Sequence, residues 1–435
     1  MLASFLPDMS VDNWTALRGI WGPHVWILTG AMVLSLILTP VFRTIALRYK
    51  VYDMPDERLK THRRPIPYLG GIAIFLAWAI PVFVVAVTQY LRPGNVPAET
   101  AAVIRQVGRE VPERWIQNPQ SLFWVLGGGL LMMILGVVDD IRSISPKAKI
   151  IGQIATALML VAGGMIFRAL PAEMPEDMGG YTLFPTDAWW VLALGIGFQI
   201  VLVVGASNAT NLLDGLDGLC SGVTAFISVG FLLLATSLMA WDIYGTHSGP
   251  HYINSEPIVL LSFALLGAVI GFLPYNFNPA SIFMGDAGSM FLGYMAAVFM
   301  ILFAEKPVGF KWFLGAMVIF GLPIFDTGLA LVRRLVNRRP IFAGDRSHFY
   351  DQLVDRGCSV RVSVLINYGL SVVFGLVGVG IVFLEVRYAL PIYLVIFAAI
   401  AVAAFKLGLV RVDASSAPRG DDGSPDDEST SQGVP

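Results

Sequence analysis

Two adjacent carboxylates close a long apolar run in Gly136-Val-Val-Asp139-Asp140-Ile-Arg142. Neighbouring carboxylates repel each other unless a cation lies between them. Hard oxygen ligands suit Mg2+, which usually takes one or two carboxylates plus substrate phosphate. Taken alone, the pair reads more simply as a solvated helix end. A second cluster, Asn208-Ala-Thr-Asn211-Leu-Leu-Asp214-Gly-Leu-Asp217, repeats a polar group at every third position and contains no Lys or Arg. That spacing puts the four on one helical face or around one tight turn, where Gly215 and Gly218 let backbone approach a ligand. A third stretch, Asn276-Phe-Asn278-Pro-Ala-Ser-Ile-Phe-Met-Gly285-Asp286-Ala-Gly288-Ser289, opens a helix. The free N–H groups at a helix start attract an anion, although Asp286 could serve simply as the cap.

The fourth constellation is Arg338-Arg339-Pro340-Ile-Phe-Ala-Gly344-Asp345-Arg346-Ser347-His348-Phe349-Tyr350, preceded by Asp326 just after Pro323. Its cations, His348 and polar groups suit a nucleoside diphosphate. The plainer alternative is a basic membrane anchor with Asp326 paired to Arg333 or Arg334. A smaller cluster, Lys60-Thr-His62-Arg63-Arg64-Pro65, suits a lipid phosphate or ordinary anionic lipid, each cation contributing roughly 1 kcal/mol at such a surface.

These groups sit in a chain that is otherwise apolar. Of 435 residues, 56% are hydrophobic in type and 14% charged, with a mean hydropathy of +0.69. A soluble domain carries about 25% charged residues. The net charge of −2 excludes a nucleic-acid binder driven by bulk basicity. Cys220 and Cys358 are too few for a disulfide framework. The elements that must position the polar groups are therefore membrane helices of about 20 residues each.

The chain is expected to be an all-α polytopic membrane protein with about eleven spans, near 25–45, 69–91, 120–138, 148–170, 189–206, 219–241, 257–274, 287–304, 311–332, 363–385 and 388–409. The first reads as a retained span rather than a cleaved signal peptide. Residues 1–411 form one transmembrane domain. The acidic stretch 412–435, rich in Asp, Ser, Gly and Pro, reads as a disordered tail. Segment 97–111 suits a short interfacial helix or an ordinary loop. Eleven spans put twenty of the 29 Lys and Arg residues on one side, with all four main constellations. The positive-inside rule makes that side cytoplasmic, the N-terminus outside and the C-terminus inside.

The stretches KTHRRPIPYLGG (60–71), GVVDDIRSISPKAKIIGQ (136–153), NATNLLDGLDGL (208–219), FLPYNFNPASIFMGDAGSMFLG (272–293) and PIFDT…DRSHFYDQL (323–353) resemble, in order, the polyprenyl-phosphate N-acetylhexosamine-1-phosphate transferases of glycosyltransferase family 4. The resemblance implies a Mg2+-dependent enzyme, with Mn2+ as a substitute, in the bacterial inner membrane. It would move a sugar-1-phosphate from a UDP-sugar to undecaprenyl phosphate, releasing UMP, as the first membrane step of a cell-envelope polysaccharide. By motif match Asp139, Asp140, Asp286 and His348 are catalytic, and Asp286, Asp217 and Asp139 bind the metal. Lys60, His62, Lys149, Asn208, Asn211, Asp214, Asn276, Asp326 and Arg346 bind substrate. PIFDT and DRSH resemble the UDP-N-acetylglucosamine branch. The alternative is the phospho-N-acetylmuramoyl-pentapeptide transferase, whose His-rich ending is replaced here by Tyr350 and Asp351, and Ser281 stands where many members have Lys. A homodimer fits the family, and nucleic acid is not a partner.

Phosphoryl transfer needs positioning and charge neutralisation more than covalent help. A secondary transporter is the competing class, but transporters place ionisable groups near the bilayer midplane. Here only Asp326 falls clearly inside an expected span.

Overall fold

In the computed structural model the described residues are 18–54, 65–91, 119–167, 188–244, 255–304, 309–338 and 348–384, with scattered positions in 96–105 and 388–406. The helices are α1 (Val25–Tyr49), α2 (Gly70–Leu91), α3 (Gln120–Arg142), α4 (Pro146–Ala162), α5 (Trp189–Leu213), α6 (Leu219–Tyr244), α7 (Glu256–Asn276), α8 (Gly285–Ala304), α9 (Gly309–Ile319), α10 (Gly321–Val336), α11 (Phe349–Asp355) and α12 (Val360–Ile381). Two short strands, β1 (Tyr52–Asp53) and β2 (Ile66–Pro67), pair antiparallel between α1 and α2.

Among the described residues, eight helices are long and apolar enough to cross a membrane, and a bent pair makes a ninth if read as one span. The chain is thus an all-α multi-pass membrane protein. The helices follow the apolar runs of the sequence with two differences. The fourth run becomes α4, of 17 residues, which stops at a Gly163–Gly164 turn instead of continuing to 170. The ninth run is not one straight span. It breaks at Phe320 into α9 and α10, which meet at 71°. Pro323 lies in the first turn of α10, where its missing N–H is tolerated but a continuous helix would lose a hydrogen bond. The last run, 388–409, lies largely outside the described residues, as do the acidic tail and most of 97–111.

Helix α8 is the central pillar, with 94% of its apolar stretch buried. It packs against α5, α3, α2 and α9. In a membrane there is no hydrophobic drive between helices, so close approach through small residues matters. A Cβ on Gly71 would strike the Gly288 backbone, one on Gly136 the Ala287 backbone, and one on Gly293 the Ala206 carbonyl. These three glycines let α2, α3 and α5 reach α8 where the polar motifs lie.

Polar clasps stiffen the rest. The Gln199 side chain on α5 accepts from the Phe167 amide at 2.9 Å and donates to Met165 O at 3.1 Å. His24 and Glu256, both fully buried, pair at 2.7 Å and join the starts of α1 and α7. Tyr294 on α8 donates to Val125 O of α3 at 2.9 Å.

Candidate active site

The C-terminal turn of α3 carries Asp139 and Asp140. Ser143 adopts a left-handed conformation (φ 46°) and reverses the chain. Ser145 then accepts from the Ala148 amide, and Pro146 begins α4. This tight turn folds Lys149 back onto the helix before it. Its ammonium lies 2.7 Å from Asp139 Oδ2 and 2.5 Å from Asp286 Oδ2. Asp139 Oδ1 accepts the Ile144 amide at 2.8 Å, so the turn and the charge contact support each other.

Asp140 points elsewhere. Its two oxygens accept the backbone N–H groups of Asp286 (2.8 Å) and Ala287 (3.2 Å). A carboxylate on the first turn of α8 satisfies amides that have no partner in the helix and complements the positive end of the helix dipole. Gly285 precedes it at φ +67°, and a Cβ there would come within 2.5 Å of Asp140 Oδ2. Glycine is the residue that fits both constraints.

The end of α5 supplies the third wall. Asn211 Nδ2 donates to Asp286 Oδ1 at 2.7 Å and to Ser289 Oγ at 3.0 Å. One turn earlier, Asn208 Nδ2 donates to Gln153 Oε1 of α4 at 2.9 Å. Asp214 ends the helix. Burial, then the charges of Asp286, Asp140 and Asp217, push its carboxyl well above the ordinary carboxylate range. Asp217 turns to the following loop, accepting from Asn278 Nδ2 (3.0 Å) and the Ala280 amide (2.9 Å). Asn276 is buried, accepts from Ser221 Oγ at 2.7 Å and donates to Ile282 O at 3.2 Å. Both therefore brace the loop that leads into α8.

A second polar group borders the first. Asp326 of α10 is buried and accepts twice. His348 Nδ1 lies 2.7 Å from its Oδ2, and the Phe349 amide lies 2.7 Å from its Oδ1. The carboxylate thus fixes both the imidazole and the first turn of α11. The His348 ring lies parallel to Tyr350, with centroids 5.4 Å apart. Tyr350 in turn donates to Leu212 O of α5 at 2.8 Å, which joins the two polar groups.

The structure therefore brings together Asp139, Asp140, Lys149, Asn211, Asp214 and Asp286, with Asn208 beside them. Asp326 and His348 form the adjoining pair, and Asp217 and Asn276 hold the intervening loop. Lys60, His62 and Arg346 lie outside the described residues. Two residues not singled out from the sequence, Tyr68 and Asp53, also reach the site. The Tyr68 hydroxyl donates to Asp53 beside the β1–β2 pair, and burial together with Asp53, Asp140 and Asp286 raises its pKa. The only sequence signal for Tyr68 is its position within the 60–71 motif.

Among the described residues, no three His, Cys, Asp or Glu side chains are arranged to cage a metal ion. The donor chemistry nevertheless fits Mg2+ shared with a substrate, which needs only one or two carboxylates beside phosphate oxygens. Asp286 and Asp139 face each other across a single cation, Lys149.

The family model described as glycosyl transferase family 4 matches residues 122–304. The chain is 31% identical over 348 residues to a Bacillus subtilis protein named "Probable undecaprenyl-phosphate N-acetylglucosaminyl 1-phosphate transferase", covering 80% of this chain and 81% of the relative. It is 31% identical over 354 residues to the decaprenyl-phosphate N-acetylglucosaminephosphotransferase of Mycobacterium tuberculosis, covering 78% of each. A third relative, the undecaprenyl-phosphate alpha-N-acetylglucosaminyl 1-phosphate transferase of Thermotoga maritima, is 26% identical over 80% of this chain and 88% of its own length. The matched span contains the turn that carries Lys149 and the glycine-lined start of α8, and the chain belongs to glycosyl transferase family 4.

Proposed function

We propose that the chain transfers N-acetylglucosamine-1-phosphate from UDP-N-acetylglucosamine to a polyprenyl phosphate of the undecaprenyl type, releasing UMP. The observation that carries this reading is the convergence of Asp139, Lys149, Asn211 and Asp286 from four helices on one end of the bundle. An oxygen of the lipid phosphate attacks the β-phosphorus of the UDP-sugar. The bond from that phosphorus to the bridging oxygen breaks, and UMP leaves with the oxygen. One phosphoanhydride replaces another, so the reaction is close to balanced.

Asp286, with Asp139 or Asp217, would hold Mg2+, which supplies shielding between the two phosphates when bound. Lys149 holds Asp139 and Asp286 in place and offers a cation to phosphate oxygens. Asn211 orients Asp286. Asp140 fixes the start of α8. Asp326 orients His348, which steadies the oxygens of the transferred group. By motif match, Lys60, His62 and Arg346 would add cationic groups for the substrate phosphates. With eleven crossings and the C-terminus inside, this end of the bundle faces the cytoplasm from the bacterial inner membrane. The bias of basic residues supports that orientation.

The test is UMP release by the full chain in detergent from labelled UDP-N-acetylglucosamine. Release that requires both polyprenyl phosphate and Mg2+ is expected. No release, or release indifferent to the lipid phosphate, overturns the reading.

A further inference from the structure

Tyr350 is buried and spans the boundary between the two polar groups. Its hydroxyl donates to Leu212 O, one residue beyond Asn211. Its ring lies against Gly215, where an added Cβ would collide with the hydroxyl. It also lies parallel to the His348 imidazole, with planes only 6° apart. Its backbone carbonyl accepts from Ser363 Oγ of α12 at 3.0 Å. One side chain therefore touches the end of α5, the Gly215 turn and the histidine held by Asp326.

We infer that Tyr350 is a positioning residue for transfer, setting His348 at a fixed distance from the Asn211–Asp286 wall. This inference rests on the transferase reading above. The ring supplies a flat, incompressible spacer, and the hydroxyl anchors that spacer to backbone. Gly215 is the matching concession beside the ring, since a side chain there would displace the tyrosine. The two polar groups come from elements far apart in the chain, and Tyr350 connects them directly.

The experiment compares Tyr350→Phe, Gly215→Ala and Tyr350→Phe combined with His348→Gln, using the full chain in detergent with UDP-N-acetylglucosamine, polyprenyl phosphate and Mg2+. Tyr350→Phe keeps the ring and loses the anchor. It is expected to lower kcat about tenfold while KM for the UDP-sugar stays within about twofold. Gly215→Ala should show the same split. In the His348→Gln background Tyr350→Phe should cost nothing further, because the tyrosine acts through the histidine. An equal loss of kcat in both backgrounds overturns the inference, as does unchanged turnover. Amide hydrogen exchange over residues 211–218 gives a readout that needs no turnover. Faster exchange in Tyr350→Phe supports the joint, and unchanged exchange overturns it even in a chain that releases no UMP. Absence of UMP from the unaltered chain overturns the transferase reading instead.

Discussion

Asp140 accepts the backbone amide of Asp286 at 2.8 Å, so one member of the acidic pair holds the helix that presents the opposing carboxylate. Its neighbour Asp139 instead meets Lys149. Adjacent and identical in type, the two do different work. Asp140→Asn keeps one acceptor but turns an NH2 group toward the other amide, at a cost of about 1–3 kcal/mol. Asp286→Asn disturbs a partly exposed ion pair worth about 1 kcal/mol or less, yet should cut transfer about hundredfold or more. Thermal unfolding and turnover measured side by side should therefore rank the two variants in opposite order. The same rank in both measurements would contradict this division of labour.

Lys149 is the cation between Asp139 and Asp286. Lys149→Met leaves the carboxylates facing each other with no charge between them. The expected loss of stability is about 1–3 kcal/mol, reduced by partial exposure. Added Mg2+ should recover more of the loss in this variant than it adds to the unaltered chain, because the ion can take the vacated position. Thermal unfolding in detergent with and without Mg2+ reads this directly. Equal Mg2+ effects in the two proteins would argue against a shared cation position.

Much of this site is legible in the sequence. Asp139, Asn211 and Asp286 stand out because charged and amide groups are rare in so apolar a chain and lie at one end or the other of its helical runs. Lys149 follows from its motif. The separate roles of Asp139 and Asp140 are not legible, since the choice depends on which carboxylate faces α8. The break at Phe320 is hidden because apolar residues continue through it on both sides. Among the described residues, Tyr68 and Asp53 meet beside the β1–β2 pair, with Tyr52 opposite Pro67 and Asp53 opposite Ile66. Such pairings join residues whose separation in sequence carries no period.

The glycine seam predicts a sharp contrast between two helical glycines. Gly136→Ala drives a methyl group into the Ala287 backbone, whereas Gly205→Ala meets nothing within 4 Å. Backbone cannot rotate away as a side chain can. Gly136→Ala should cost about 1–3 kcal/mol or more and pull α3 away from the carboxylate site. Gly205→Ala should leave thermal stability and turnover unchanged. Similar behaviour of the two would mean that close approach at Gly136 is not needed.

Asp326 serves two donors at once, His348 Nδ1 and the Phe349 amide. An amide side chain has the same shape but a single oxygen. In Asp326→Asn one donor keeps its partner and the other faces an NH2 group. Asp326→Ala leaves both donors without it. If the carboxylate works as a double acceptor, shape alone rescues little, and both variants should lower kcat about tenfold or more through a misoriented imidazole. If it serves only to fill space between α10 and α11, Asn should retain full turnover and only Ala should fail. Turnover of the two variants, measured beside His348→Gln, separates these outcomes, and full activity in Asp326→Asn would remove the orienting role.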